Sequence, residues 1–145
     1  MAASEIKSIY ISNEMPTLWL TKNPSLIRPQ LENPKLGLFY SFDDLLEVNT
    51  DAYPTTACFR YDQEFMARKA LTGILLDDGT HIPDGAVQAG RFGILVAGKN
   101  FGSGSAREQF VLSLKAAGIR LVVAKSIHPI CAGNMVDSGF PLNWR

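Results

Sequence analysis

The chain has 145 residues, 46% of them hydrophobic, and its 14 basic residues are balanced by 14 acidic ones. This length suits one globular domain with its own core, and the balanced charge provides no broad field to attract nucleic acid or an anionic membrane. No apolar run approaches the roughly 20 residues of a membrane span, which predicts a cytoplasmic protein. Cys58 and Cys131 stand far apart without metal-ligand spacing, so we expect free thiols and no metal site on this chain.

Residues 1–36 are predicted to form an irregular N-terminal arm. Four prolines recur there among Asn, Ser and Thr, and proline discourages both long helices and central strands. The arm also contains the apolar cluster "LWL" at residues 18–20. Such a cluster can pack either on the domain or on a partner, and we favour the partner.

The next part of the chain is predicted to contain short strands, a loop and one helix. Residues 37–42 and 45–53 have the composition of strands, and residues 54–61 that of a loop. Asp62 can cap a helix in which apolar side chains recur at helical spacing, and Gly73 is expected to end that helix. Two polar turns follow, at residues 77–79 and 83–85.

The second half of the chain has a regular β-α-β-α pattern. Residues 92–98 are nearly continuously apolar, as expected of a strand covered on both faces. An amphipathic helix at 106–118, a second buried strand at 119–126 and a short helix broken by glycine at 128–139 follow. Two strands joined through a helix are parallel with a right-handed crossover. We therefore predict an α/β fold with a mixed or parallel sheet flanked by helices.

The loop "FGSGS" follows the first of these buried strands, at the sheet edge where such folds bind ligands. Gly102 and Gly104 leave the backbone amides uncovered. Ser105 and Glu108 have the spacing of a capping box, so Ser105 either only caps the helix or also belongs to an anion site with Arg107. The loop matches neither the P-loop nor the dinucleotide signature, which favours a carboxylate over a nucleotide.

Residues 98–142 resemble the swivel domain of the aconitase superfamily, most closely the separate small subunits of 3-isopropylmalate dehydratase and homoaconitase. The run "GKNFGSGSAREQ" is similar to the G-x-N-F-G-C-G-S-S-R-E-H/Q stretch of that family. The run "VNTDAYPTTACFR", residues 48–60, is similar to its D-T-D-x-I-I-P-x-x-Y-L-R/K stretch. We therefore assign residues 37–145 to a single swivel-type domain.

The resemblance implies an activity that moves a hydroxyl between neighbouring carbons of a 2- or 3-hydroxy di- or tricarboxylic acid, by dehydration and rehydration. It places a 4Fe–4S cluster on a large partner subunit, whose open iron binds the hydroxyl and a carboxylate, and none on this chain. Carried over by motif position, Ser105 is the catalytic base, and Arg107 and Arg60 bind carboxylates. The remaining substrate-binding positions of the loop are Ser103, Gly104 and Ala106.

Some positions depart from the family pattern. Ala106 stands where the family commonly has a second serine, and the loss of such a contact costs about 1–3 kcal/mol. Ser103 replaces a cysteine, and the sequence stops at Arg145, before many family members end. These departures keep an alternative open, in which the chain is a catalytically weakened paralogue that acts as a carboxylate-binding or regulatory module.

Overall fold

The structure is a computed structural model that describes residues 15–34, 45–54, 57, 60–104, 108–140 and, for the backbone, 142–144. Short strands and helices follow one another along the described chain, with one 3-10 turn at Thr50–Ala52. The strands are β1 (Thr17–Trp19), β2 (Ile94–Ala97), β3 (Leu121–Ala124) and β4 (Leu142–Trp144). The helices are α1 (Pro24–Glu32), α2 (Gln63–Lys69), α3 (Ala86–Ala89), α4 (Glu108–Ala116) and α5 (Pro129–Asp137).

The four strands form one parallel sheet in the order β1-β2-β3-β4. The register between the two central strands pairs Ile94 with Leu121 and Ala97 with Ala124. Helix α4 connects these strands and packs against both α2 and α5. The predicted α/β class and the parallel pairing of the two buried strands are therefore confirmed, and each strand is shorter than its apolar run.

The prediction of an irregular arm at residues 1–36 is wrong for residues 15–34, which contain β1 and α1. Two prolines occupy positions that tolerate them, because Pro16 lies just before β1 and Pro24 is in the first turn of α1. The apolar cluster of the arm packs inward, since Leu18 and Leu20 are fully buried in the core. The arm thus supplies an edge strand to the sheet.

The outer edge of β1 is closed by one glutamine side chain. The backbone N–H of Trp19 donates to Gln30 Oε1 over 2.8 Å, and Gln30 Nε2 donates to the carbonyl oxygens of Trp19 (3.0 Å) and Leu26 (3.1 Å). Gln30 is only 4% exposed, although it is polar. An edge strand presents backbone groups that need partners, and this amide supplies them from α1.

The variant Gln30→Leu should lower the free energy of unfolding by about 1–3 kcal/mol. The leucine keeps the apolar volume but removes three hydrogen bonds from buried backbone and side-chain groups. Urea unfolding followed by circular dichroism measures the change. Gln88→Leu, on the exposed side of α3, is the matched control and should change the stability by less than about 0.5 kcal/mol. Equal stability of the two variants would contradict the role given to Gln30.

The predicted strand at residues 45–53 is also wrong. Residues 45–48 belong to no strand, Asn49 forms only an isolated parallel bridge with Ser103, and the chain then turns at Thr50–Ala52. The turn has a local cause, because the Asn49 side chain accepts a hydrogen bond from the Asp51 N–H over 2.6 Å and so competes with a strand. The predicted strand at 37–42 lies outside the described residues.

Two helices differ from prediction at a glycine. Asp62 caps α2 as predicted, accepting from the Phe65 N–H, but the helix ends at Lys69, before Gly73. Ala70 leaves the helical conformation with a ψ of 125°, and Leu71 then takes a positive φ of 63°. Helix α5 continues through Gly133 and is not broken there. Cys131 and Met135 anchor its buried face on both sides of the glycine, and this packing outweighs the low helix propensity of a single glycine.

Candidate functional site

Residues 45–50, here called the crossing segment, run across the carboxyl ends of the first two strands. The Leu46 N–H donates to the Leu20 carbonyl oxygen just beyond β1, and the Leu46 carbonyl oxygen accepts from the Gly98 N–H just beyond β2, both over 2.9 Å. Only glycine fits at position 98, since a Cβ there would lie 2.7 Å from the Leu45 carbonyl oxygen. The crossing segment therefore lies along the carboxyl edge of the sheet, which is the edge at which α/β folds commonly bind ligands.

The described part of the FGSGS loop, residues 101–104, is hydrogen-bonded to the crossing segment. The Gly102 N–H donates to the Val48 carbonyl oxygen (2.7 Å), and the Thr50 N–H donates to the Ser103 carbonyl oxygen (2.8 Å). Phe101 is fully buried, Ser103 is half-buried and Gly104 is exposed. The loop thus leaves the core at Phe101 and reaches the surface at Gly104, next to the start of α4.

The structure describes three of the six predicted site residues. Ser103 and Gly104 lie on the loop as the sequence predicts, and Arg60 lies just before α2. The predicted base and two of its neighbours, Ser105, Ala106 and Arg107, lie outside the described residues, so the capping box is not tested.

The Arg60 guanidinium contacts two side chains at the start of α2, those of Asp62 and Phe65. Its Nε donates to Asp62 Oδ1 over 3.0 Å and its Nη2 donates to Asp62 Oδ2 over 3.1 Å, which is a bidentate ion pair. The guanidinium carbon lies 4.1 Å from the centre of the Phe65 ring. The hydrogen bond from Arg60 is the largest influence on Asp62 and holds the pKa of that carboxyl below its usual value.

A hydrogen bond ties the Arg60 segment to the first turn of α4. Gln109 Nε2 donates to the Tyr61 hydroxyl over 2.7 Å, and Gln109 is 8% exposed while Tyr61 is 57% exposed. Because α4 begins at Glu108, directly after the loop motif, this bond brings the residue next to Arg60 close to the helix start. The sequence motifs around Arg60 and around the loop therefore meet at one place in the fold.

Sequence reasoning missed a buried hydroxyl under the loop. Thr50 is 1% exposed, and its Oγ1 has no hydrogen-bond partner in the part of the chain that the structure describes. This oxygen lies 3.5 Å from the point that a Cβ on Gly104 would occupy. Its sequence signal was its place between two polar residues in "NTD", which suggested a strand end rather than a buried position.

A shallow cleft beside the crossing segment does not suit a dicarboxylate. It has a volume of about 170 Å³, and its charged lining residues are Lys22, Glu47 and Asp51. Two carboxylates against one ammonium group repel an anionic ligand. We therefore place the candidate site at the FGSGS loop and Arg60, where the guanidinium can bind an anion. The predicted uncovered amides are not found at residues 101–103, because each of these N–H groups donates to a backbone carbonyl oxygen.

Cys131 packs against Gly102 of the loop, and its buried thiol is expected to be unreactive. Its thiol is 1% exposed, and burial raises its pKa from 9.0 to about 12. Because the folded pKa is raised, the thiol contributes stability fully below about pH 9, and this contribution is lost as the pH rises toward 12. No group of three or more His, Cys, Asp or Glu that could hold a metal occurs among the described residues.

We expect native Cys131 to resist alkylation at pH 8, where burial keeps it almost wholly protonated. The variant Cys58→Ser leaves it as the sole thiol of the chain. Iodoacetamide labelling of this variant, followed by mass spectrometry, should show that Cys131 reacts at least about 100-fold more slowly in the folded protein than in protein unfolded by guanidinium chloride. Similar rates in the two states would contradict the buried placement of this thiol.

Residues 76–144 match the family model of the aconitase C-terminal domain. A small subunit 2 of 3-isopropylmalate dehydratase from Methanopyrus kandleri is 38% identical over 108 residues, covering 72% of this chain and 58% of that protein. The small subunit from Metallosphaera sedula is 43% identical over 97 residues, covering 66% and 56% respectively. A crystal structure of 3-isopropylmalate dehydratase from Methanocaldococcus jannaschii is 32% identical and covers 60% of this chain and 48% of that one, with a TM-score of 0.46.

These matches confirm the resemblance found in the sequence. Residues 76–144 are similar to the aconitase C-terminal domain, and the chain is similar to small subunits of 3-isopropylmalate dehydratase. The chain spans little more than half the length of these curated relatives. Within the described residues, no helix is long and apolar enough to cross a membrane.

Proposed function

We propose that the chain acts as the small subunit of a hydro-lyase that dehydrates or isomerises a 2- or 3-hydroxy di- or tricarboxylic acid of the isopropylmalate or homoaconitate type. The names of its relatives support this substrate class and the need for a large subunit. The observation that carries the proposal is the hydrogen bond from Gln109, in the first turn of α4 directly after the loop motif, to Tyr61, the residue next to Arg60. A cytoplasmic location is part of the same proposal.

In this proposal Ser105 removes a carbon-bound proton, and Arg107 and Arg60 hold substrate carboxylates. A serine hydroxyl is a weak base unless its alkoxide is stabilised, and backbone N–H groups at a helix start together with a guanidinium provide that stabilisation. Ser103, Gly104 and Ala106 form the surrounding wall. The small side chains of these residues leave room for the oxygens of an organic acid.

The residues of this chain do not fit a 4Fe–4S cluster, so we assign the cluster to the large partner subunit. Such clusters are held by about four cysteine thiolates, whereas this chain has two cysteines. Cys131 is buried behind the loop, where burial keeps its thiol protonated. The contribution of this chain is therefore the base and the carboxylate ligands.

The test is co-expression of the full chain with a large subunit from the same genome, followed by an anaerobic assay. Formation of the unsaturated acid from 3-isopropylmalate or homocitrate is measured by ultraviolet absorbance. We expect turnover from the complex and none from either subunit alone. A stable, cluster-loaded complex that dehydrates neither acid would refute the enzymatic proposal.

The second candidate is a carboxylate-binding or regulatory module, which Ala106 favours because it lacks the hydroxyl of the family's usual serine. Isothermal titration of the isolated chain with 3-isopropylmalate and citrate separates the two functions. Binding tighter than about 100 μM without a partner supports the module. Binding that appears only in the complex supports a half-site completed by the large subunit.

A further inference from the structure

The carboxylate proposed to bind at Arg60 meets a guanidinium that is already engaged. A guanidinium has five N–H donors in a rigid plane. Asp62 takes one donor from Nε and one from Nη2, on the inner edge of that plane. The outer edge, formed by Nη1 and the second hydrogen of Nη2, has no partner among the described residues. Two parallel donors therefore remain for a second carboxylate.

Phe65 fixes the plane of the same guanidinium. The guanidinium carbon of Arg60 lies closest to the ring centre, at 4.1 Å, while Arg68 and the Lys69 ammonium lie 5.3 and 5.8 Å away. The backbone of Phe65 is held in the first turn of α2, because its N–H donates to Asp62 Oδ2 over 3.3 Å. Two residues at the start of α2 thus contact the guanidinium: Asp62 at its Nε–Nη2 edge and Phe65 at its face.

Stability alone gives little reason for this arrangement. The Arg60 and Asp62 side chains are 58% and 50% exposed, and ion pairs between exposed side chains contribute little to folding because water and salt screen them. Asp62 would cap α2 equally well without its charge, since asparagine caps helices as effectively as aspartate. What the carboxylate adds is a fixed orientation for Arg60.

We propose that Asp62 and Phe65 are positioning residues, which hold Arg60 so that its outer Nη1–Nη2 edge receives a substrate carboxylate. This inference rests on the proposed function and adds to it the means by which an exposed arginine is preorganised. An exposed arginine otherwise samples many rotamers, and their loss on binding weakens affinity. Removing the charge of Asp62 should therefore weaken substrate binding and leave the chemical step intact.

The experiment uses the reconstituted complex with 3-isopropylmalate as the probe. Asp62→Asn keeps the helix cap and removes the bidentate ion pair, and we expect KM to rise about 3- to 10-fold while kcat stays within about twofold. Phe65→Leu keeps an apolar side chain without the ring face and should raise KM by about 2- to 5-fold. The melting temperature of both variants should remain close to that of the original complex.

A double-mutant cycle separates orientation from a general structural effect. In the Arg60→Ala background, Asp62→Asn should leave KM unchanged, because the arginine that it positions is gone. Asp78→Asn is the matched control: Asp78 also forms an exposed ion pair with an arginine, Arg28, at a turn remote in the chain from the loop. This control should leave KM and kcat unchanged.

The outcomes distinguish this inference from the proposed function. An unmodified complex that turns over 3-isopropylmalate, combined with an unchanged KM for Asp62→Asn, overturns the positioning role and leaves the function standing. The same KM increase for Asp62→Asn with and without Arg60 also overturns it. Failure of the unmodified complex to bind or convert the acid overturns the proposed function, and the inference falls with it.

Discussion

Replacing Ser105 by alanine is expected to lower kcat of the reconstituted complex by about 10²- to 10⁴-fold, with a much smaller change in KM. The proposed base would be lost, whereas the backbone amides and arginines that bind the substrate would remain. Steady-state assays with 3-isopropylmalate measure both constants. Ser25→Ala, at an exposed position in the first turn of α1, is the control and should leave both unchanged.

A Ser105→Ala variant that keeps kcat within tenfold would show that this residue is mainly a helix cap. The substitution would then lower the free energy of unfolding, since removing a capping hydroxyl costs about 1 kcal/mol. Thermal unfolding of the isolated chain distinguishes the two cases. Together the assays decide between the two roles that the sequence leaves open.

Gly102→Ala is expected to destabilise the fold by about 2–5 kcal/mol, the largest loss of stability that we predict. Gly102 has a φ of 81°, which costs any L-residue energy, and a Cβ there would lie 2.1 Å from the Cys131 Sγ and 2.5 Å from the Cys131 Cβ. Helix α5 would have to move away from the loop. Urea unfolding measures the loss of stability.

Gly79→Ala is the matched control for the steric part of this effect. Gly79 has nearly the same φ, 84°, but no atom lies within 4 Å of its would-be Cβ. Its substitution should therefore cost only the conformational term, about 1–2 kcal/mol. Equal losses for the two variants would mean that Cys131 does not press on the loop.

Local patterns in the sequence predicted most of the second half of the fold. Strands β2 and β3 are short, bounded apolar runs, and α4 between them is amphipathic, so burial alone specifies them. The prediction of an irregular arm was wrong for residues 15–34 because it considered the number of prolines and not their positions. Pro16 and Pro24 lie at places that accept proline, and the buried Leu18 and Leu20 determine the structure of that segment.

The candidate site was predictable only in its motifs. The sequence identifies Asp62 as a helix cap, and the structure confirms that role, yet the ion pair of its carboxylate with Arg60 depends on the conformation of the Arg60 side chain. The bond between Tyr61 and Gln109 joins residues remote in the chain. Such pairs depend on how α2 packs against α4, which no local pattern encodes.

The crossing segment has a consequence for how the protein reaches its native state. It joins Leu46 to Leu20 and to Gly98, so two long loops must close before these hydrogen bonds form. Loop closure is entropically costly and slows folding when native contacts are remote in the chain. We expect β2, α4 and β3 to assemble early and the carboxyl edge of the sheet, where the candidate site lies, to form last, so the proposed acid binding would be gained only when folding is nearly complete.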